Sequence, residues 1–274
     1  MNKASRFLLS VALLIALRAA ARADEYKATL DLAANVKFLD NYFGRYGYSP
    51  FQSIARDAKG FWFKLPATAK GLEQTGAYSY FALAGDFEVS AEFELINLAP
   101  PQKGQVQSYG VSVGIAVESK ENGAQVNLAR GNQIKKGNGY LVTEGSLDDE
   151  GKMKYRTEHY PSQAKSGRLV LRREKKELIC FVADKPKDEP YQLCRVEFND
   201  STIQKIRVYA DTGGSPTALD ARITNLQVRA NEITGGVPLS EQRRSWAWLW
   251  ITLAILALPA LTYWWWKHKR AAVE

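Results

Sequence analysis

Glu88-Val89-Ser90-Ala91-Glu92-Phe93-Glu94-Leu95 alternates without a break, apolar residues at the odd positions and polar ones at the even. Side chains on a strand point to opposite faces with period two, so this stretch predicts a strand with one buried and one wet face. The same period runs outward in both directions. Phe61-Trp62-Phe63-Lys64-Leu65 precedes it and ends at Pro66. Tyr109 to Val117 sets Tyr, Val, Val, Ile and Val on one face and Gly110, Ser112, Gly114 and Ala116 on the other. A face of such small residues lets a second layer or a ligand come close to the backbone. Further strands are predicted around 125–129, 140–144, 154–158, 168–172, 203–210 and 221–228. Between them stand turn signals such as Glu121-Asn122-Gly123, Lys136-Gly137-Asn138-Gly139 and Thr212-Gly213-Gly214-Ser215-Pro216. Many short strands at this spacing predict an antiparallel sandwich or barrel. Residues 24–59 are less regular: Leu32, Val36, Leu39 and Phe43 have helical spacing, and a short helix or an irregular strand both fit.

The two ends read differently from this centre. Lys3 and Arg6 precede an apolar run of eleven residues, Phe7 to Leu17, and Ala21-Arg22-Ala23 fits a signal-peptidase site. The run is shorter than the ~20 residues that cross a bilayer as a helix, so residues 1–23 read as a signal peptide, an uncleaved anchor being the other reading. Trp246 to Trp266 is 21 residues without a charge, tryptophans crowd both of its ends, and Lys267, His268, Lys269 and Arg270 follow. Length, aromatic belts and the basic stop predict a transmembrane helix. The expected layout is a signal peptide over 1–23, an ectodomain over 24–232, a juxtamembrane linker over 233–245, a membrane helix over 246–266 and a cytoplasmic tail over 267–274. That is a single-pass type I protein with a periplasmic or extracellular ectodomain.

The net charge of +8 belongs mostly to these ends. Residues 24–240 hold 28 Lys and Arg against 27 Asp and Glu, which excludes a nucleic-acid partner argued from charge. Between the two end segments there is one histidine, His159, and one tryptophan, Trp62. No zinc constellation of Cys and His can be written from this inventory, and no motif surrounds His159. The two cysteines, Cys180 and Cys194, lie in strand-like runs on either side of the loop 184–190. A hairpin there brings the thiols close, and an extracytoplasmic compartment permits a disulfide; two buried free thiols are the alternative.

The order Gly60-Phe61-Trp62-Phe63-Lys64-Leu65-Pro66, Thr75 to Leu83, Gly85-Asp86-Phe87-Glu88, Ile206-Arg207-Val208-Tyr209-Ala210 and Ala221 to Val228 resembles the concanavalin A-like lectin/glucanase superfold. Within it, the chain is similar to an uncharacterised bacterial family, a domain of unknown function in planctomycete-type surface proteins. The resemblance covers roughly residues 40 to 230 and implies an all-β, two-sheet antiparallel jelly roll with a concave face. Lectins, glycosidases and adhesion modules share that superfold, so it does not choose a function.

Glycoside hydrolysis needs two carboxylates across the scissile bond, ~5–5.5 Å or ~6.5–9.5 Å apart. Glu88, Glu92 and Glu94 share a strand face, and residues two apart on a strand are ~6.7 Å apart, so Glu92 and Glu94 are admissible. The glucanases of the superfold carry Glu-x-Asp-x-Glu on a strand, whereas this chain has Ser90 at the central position. A binding module needs aromatic platforms and oriented polar groups. Tyr78, Tyr80 and Tyr140, together with Tyr42, Tyr46 and Tyr48, are candidates for the first; Asn127, Arg130 and Asn132 are candidates for the second. No metal site is expected, although the acidic loops at 148–150 and 184–189 carry oxygen ligands suited to calcium. The expected function is a membrane-anchored binding or scaffold module for envelope glycans or a protein partner, with a glycoside hydrolase as the alternative.

Overall fold

The computed structural model of the chain describes residues 26–32, 39–47, 49–57, 59–67, 74–102 and 109–235. The expected signal peptide and the helix over 246–266 lie outside the described residues. Among the described residues no helix is long and apolar enough to cross a membrane.

The described chain is β throughout, apart from single helical turns at α1 (Leu39–Tyr42) and α2 (Pro50–Ser53), and every strand pairing is antiparallel. Seven strands form one layer, in the order β2 (Phe43–Tyr46), β5 (Thr75–Ser79), β14 (Ile203–Asp211), β7 (Gly110–Ser119), β8 (Gln125–Gln133), β9 (Gly137–Leu147) and β10 (Met153–Pro161). The other layer runs β3 (Ile54–Asp57), β4 (Gly60–Leu65), β15 (Leu219–Gly235), β6 (Phe81–Leu98), β11 (Ser166–Glu174), β12 (Glu177–Ala183) and β13 (Tyr191–Glu197). In this layer β1 (Ala28–Asp31) pairs with β15 beyond the end of β4. The layers are stitched at one corner, where Ile203 of β14 stands opposite Leu83 of β6.

Alternation does the sorting. On β6 the odd residues Phe87, Val89, Ala91 and Phe93 are buried against Val113, Ile115 and Val117 of β7, Leu128 of β8 and Val208 of β14, all in one core. Apart from Ala91, each such side chain contributes roughly 1.5–3 kcal/mol when removed from water. A one-residue slip would turn this set outward, and three bulges between β15 and β6 adjust the register without one. Asn225, at φ 48°, sits in the bulge that moves the buried positions of β15 from Ala221 and Ile223 to Leu226, Val228 and Ala230.

The described part of the ambiguous N-terminal stretch holds both kinds of element expected of it, short strands and single helical turns. It contributes the short strands β1, β2 and β3 and two single turns, with Leu32, Leu39 and Phe43 in the core. At the other end β15 continues to Gly235, three residues into the stretch expected to be linker. The hairpin that carries the cysteines forms between β12 and β13, and Cys180 stands directly opposite Cys194. Both are free thiols here, Cys180 buried and Cys194 half-buried, and the two side chains hydrogen-bond to each other.

Candidate functional site

The small-residue face of β7 lies away from the core and floors an open groove of about 1330 Å³. Its geometry follows from the ladder registers. Tyr209 of β14 stands between Gly76 of β5 and Gly114 of β7, Gly114 faces Ala129 of β8, and Ala129 faces Leu141 of β9. One row along, Arg207 faces Ala116, Ala116 faces Asn127, and Asn127 faces Thr143. Ala116, Ala129 and Tyr209 pack there as a small apolar cluster, with Tyr46 and Leu141 against it, and Ala129, Leu141, Tyr46 and Tyr209 also line the groove.

Tyrosines mark the extremities. Tyr109, 62% exposed, leads into β7 at one end, and its N–H donates to the Gly213 carbonyl at 2.9 Å. Tyr155, 60% exposed, stands on β10 at the other end, where its hydroxyl accepts from Gln125 Nε2 at 2.9 Å. Tyr46 lines the wall from β2, with its hydroxyl 3.4 Å from Gln74 Oε1. Burial pushes the Tyr46 hydroxyl up to about 12, against the lowering influence of Arg207.

Polar groups lie between the tyrosines. Arg207 Nη1 is 3.4 Å from Gln74 Oε1, Nη2 donates to Gln125 Oε1, and Glu118 Oε2 lies 4.0 Å from Nη2. Glu118 is engaged at its other oxygen by Gln204 Nε2 at 2.8 Å and Lys205 Nζ at 3.1 Å. Asp211 is the one carboxylate that lines the groove among the described residues, and it accepts the Gly213 N–H at 2.7 Å. Burial pushes its pKa up to about 6, although the Gly213 bond favours the ionised form. Asp211 faces Ser112, six residues along β7 from Glu118, so these two carboxylates are separated by roughly 20 Å at ~3.3 Å per residue.

The site residues expected from sequence divide sharply. Asn127 lines the groove. Tyr78 packs between Tyr46 and Tyr80 beside it, with ring centroids 6.2 and 5.7 Å away. Arg130 and Tyr140 point to the opposite face of the same layer, toward the core. Tyr140 packs edge-on against Phe93 at 6.1 Å and donates to Asp184 Oδ1 at 2.8 Å, tying the layers together. Arg130 gives its donors to the carbonyls of Ala164 (2.9 Å), Ser162 (3.0 Å), Gly139 (3.2 Å) and Gly131. Asn132 shares the parity of Arg130 and is also buried. These three are therefore structural rather than groove residues.

Glu88, Glu92 and Glu94 do share one face, but it is the outer face of the opposite layer. Each is taken up by a neighbour: Glu88 by Arg172 (Nε 2.9 Å, Nη2 2.6 Å), Glu92 by Asn225 Nδ2 (2.6 Å) and Glu94 by Arg222 Nη1 (3.3 Å). Glu92 and Glu94 line a smaller cleft there, of about 460 Å³. The acidic loops expected to suit calcium use their oxygens internally. Asp148 accepts from the backbone of Glu150 (3.0 Å) and Lys152 (2.8 Å), and Asp184 accepts from Tyr140 and Ser162. Among the described residues no three His, Cys, Asp or Glu side chains converge as a metal site.

Sequence reading missed Tyr109, Tyr155, Gln125, Arg207 and Asp211. The signal was parity: Arg207, Tyr209 and Asp211 alternate with Val208 and Ala210, so they share the face opposite the core. Gln125, Asn127 and Ala129 alternate in the same way with Val126, Leu128 and Arg130.

Over residues 15–247 the chain matches the family described as "Protein of unknown function (DUF1583) C domain". No curated protein matches its sequence. Among solved structures it is similar to the Crh5 transglycosylase in complex with NAG, at 9% identity and a TM-score of 0.47, over 75% of this chain and 84% of that one. It is also similar to LamAcat from Zobellia galactanivorans, at 9% identity and a TM-score of 0.47, over 69% and 91% of the two chains. A third is alginate lyase A1-II', a member of polysaccharide lyase family-7, at 10% identity and a TM-score of 0.47, over 74% and 100%.

Proposed function

This chain belongs to the DUF1583 C-domain family, and we propose that its sandwich is a non-catalytic binding module that takes an extended glycan along the groove of the β14–β7–β8–β9–β10 layer. The observation that carries this reading is the pair of exposed tyrosines, Tyr109 and Tyr155, at the two ends of a trough lined between them by the small residues Gly110, Ser112 and Ala129. Tyrosine offers an apolar face for a sugar ring and a polar tip that keeps a hydrogen bond, and the small floor lets a chain lie close to the backbone. Amide, hydroxyl and guanidinium groups between the tyrosines suit the many hydroxyls of such a ligand. In the full protein, a helix over 246–266 would hold the module outside the cytoplasmic membrane, where envelope glycans are at hand.

Among the described residues a single carboxylate lines the groove, whereas hydrolysis between paired carboxylates needs two within ~10 Å. That favours binding over turnover at this site. The hydrolase alternative rests on Glu92 and Glu94 in the smaller cleft of the other layer, where both already carry partners.

Titrating the full chain with a panel of soluble polysaccharides tests the proposal. At least one polymer binds, and Tyr155→Ala and Tyr109→Ala each weaken it by about tenfold, which corresponds to ~1.4 kcal/mol. Silence across the panel would discard the glycan reading in favour of a protein partner. Turnover that disappears in Glu92→Gln would establish the alternative.

A further inference from the structure

We infer that the groove takes an acidic polysaccharide and reads its charge at one end, where Lys135 and Lys136 stand beside Tyr109. The inference rests on the glycan-binding reading and specifies the chemical class of the glycan. Lys135 and Lys136 belong to the turn that joins β8 to β9, and both line the groove. That turn is held to the entry of β7: the Ile134 N–H donates to the Tyr109 carbonyl at 3.2 Å, and Gln133 stands opposite Gly110. The exposed tyrosine and the two lysines therefore share one end of the groove. Both lysines are exposed, and among the described residues neither takes part in an ion pair or a side-chain hydrogen bond.

The other charges of the groove are already engaged. Asp211, at the same end, is half-buried and accepts the Gly213 N–H at 2.7 Å, so two exposed cations stand against one withdrawn carboxylate. Arg207 lies farther along, in the row of Asn127, where it donates to Gln125 Oε1 and has Glu118 Oε2 4.0 Å from its Nη2. Around Tyr155 the polar lining is Gln125, Asn127, Thr143 and Thr157, none of them charged. The groove thus has a cationic end and a neutral end. A sugar ring resting on Tyr109 brings an acidic substituent within reach of a flexible lysine stem. Repeated charge along the polymer also raises its concentration near that end. The ammonium groups are open to water, so the preference is graded and weakens with salt.

Matched polymers isolate the charge. The full chain is titrated with polygalacturonate against its methyl ester, and with carboxymethyl cellulose against hydroxyethyl cellulose. In at least one pair the acid binds about tenfold more tightly than its neutral counterpart at about 0.05 M salt, and less than about twofold more tightly at about 0.5 M. Lys135→Gln combined with Lys136→Gln lowers affinity for the acid at least about fivefold, keeps affinity for the neutral polymer within about twofold, and leaves Tm unchanged. Lys185→Gln combined with Lys187→Gln removes the same charge from the exposed loop between β12 and β13 and keeps the preference. Neutral polymers that bind as tightly as their acidic counterparts overturn the inference. So does an equal loss of acid binding in the two double variants, which would make the preference a matter of net charge. In either case, if Tyr155→Ala still weakens binding of the neutral polymer, the glycan-binding reading survives alone. Failure of every polymer to bind overturns both.

Discussion

Gly76 stands opposite Tyr209 across the β5–β14 ladder, and the space a Cβ would need at Gly76 is already taken. Such a carbon would lie 2.3 Å from the Val208 carbonyl oxygen and 3.0 Å from Tyr209 Cα. Neither is a flexible side-chain end that could swing aside, so β5 would have to move away from β14. Gly76→Ala is therefore expected to destabilise the domain by ~1–3 kcal/mol through overpacking, seen as a lower midpoint in urea. Because β14 also carries Arg207 and Asp211, the same variant is expected to weaken polysaccharide binding even at temperatures where it remains folded.

Asp211 links the groove to pH. Its folded-state pKa is raised from 3.8 to about 6 by burial, so the folded protein holds a proton that the unfolded chain releases. For a raised carboxylate, the folded state gains most below the unfolded pKa and loses that gain as pH climbs through the folded one. Stability attributable to this residue therefore falls between pH ~4 and ~6 and stays low above that. Two pKa units correspond to at most ~3 kcal/mol. Asp211→Asn keeps an acceptor for the Gly213 N–H and removes the ionisation. The variant is expected to be more stable than wild type at neutral pH by ~1–3 kcal/mol, and equal to it near pH 4, in parallel denaturation curves. Equal curves at both pH values would show that the carboxylate is not desolvated in the groove.

Much of this site was legible as alternation. The Tyr109–Val117 stretch shows both its core face and its small-residue face in the sequence, and Gly110 and Ser112 of the second line the groove. What alternation along one strand does not reveal is which strand lies beside it. Arg207 sits 91 residues after Ala116 in the chain and one strand away in space, a relation set by a long-range ladder. Tyr78, Tyr140, Asn127, Arg130 and Asn132 invited grouping by residue type. On β8, however, Asn127 falls on the groove face and Arg130 and Asn132 on the core face. The Glu88–Glu94 face was read correctly as wet, but its partners Arg172, Arg222 and Asn225 come from strands whose pairing is not written locally.

Arg130 illustrates why a buried cation needs no counter-ion when carbonyls surround it. Its guanidinium donates to four carbonyls, three of them at 2.9, 3.0 and 3.2 Å, and it is 2% exposed. Burial lowers its pKa from the ordinary arginine range, and the carbonyl cage compensates the lost hydration. Arg130→Met fills similar volume but leaves those carbonyls without donors, including Ser162 and Ala164 in the connection from β10 to β11. A loss of at least ~3 kcal/mol is expected, together with faster amide hydrogen exchange in that connection. A loss below ~1 kcal/mol would mean that the carbonyls find other donors.

Cys180 and Cys194 are direct cross-strand partners, at a position where the register of β12 and β13 shifts. Their mutual hydrogen bond lowers the pKa of Cys194, with the Tyr160 hydroxyl adding to the effect, and raises that of Cys180, which is buried. Cys194 is thus the thiol that ionises first, and only the thiolate attacks a disulfide. With oxidised glutathione as the co-reactant, Cys194 takes up a glutathionyl group and releases one glutathione thiol. Cys180 then displaces the second glutathione and closes the protein disulfide. Non-reducing peptide mass spectrometry is expected to show the Cys180–Cys194 crosslink with no lasting mixed disulfide, and the closed loop is expected to add up to ~3 kcal/mol of stability. Cys180→Ser leaves the mixed disulfide at Cys194, whereas Cys194→Ser resists modification at Cys180. Persistent glutathionylation of Cys194 in the unmutated chain would show that the paired strands hold the sulfurs in a geometry that cannot close.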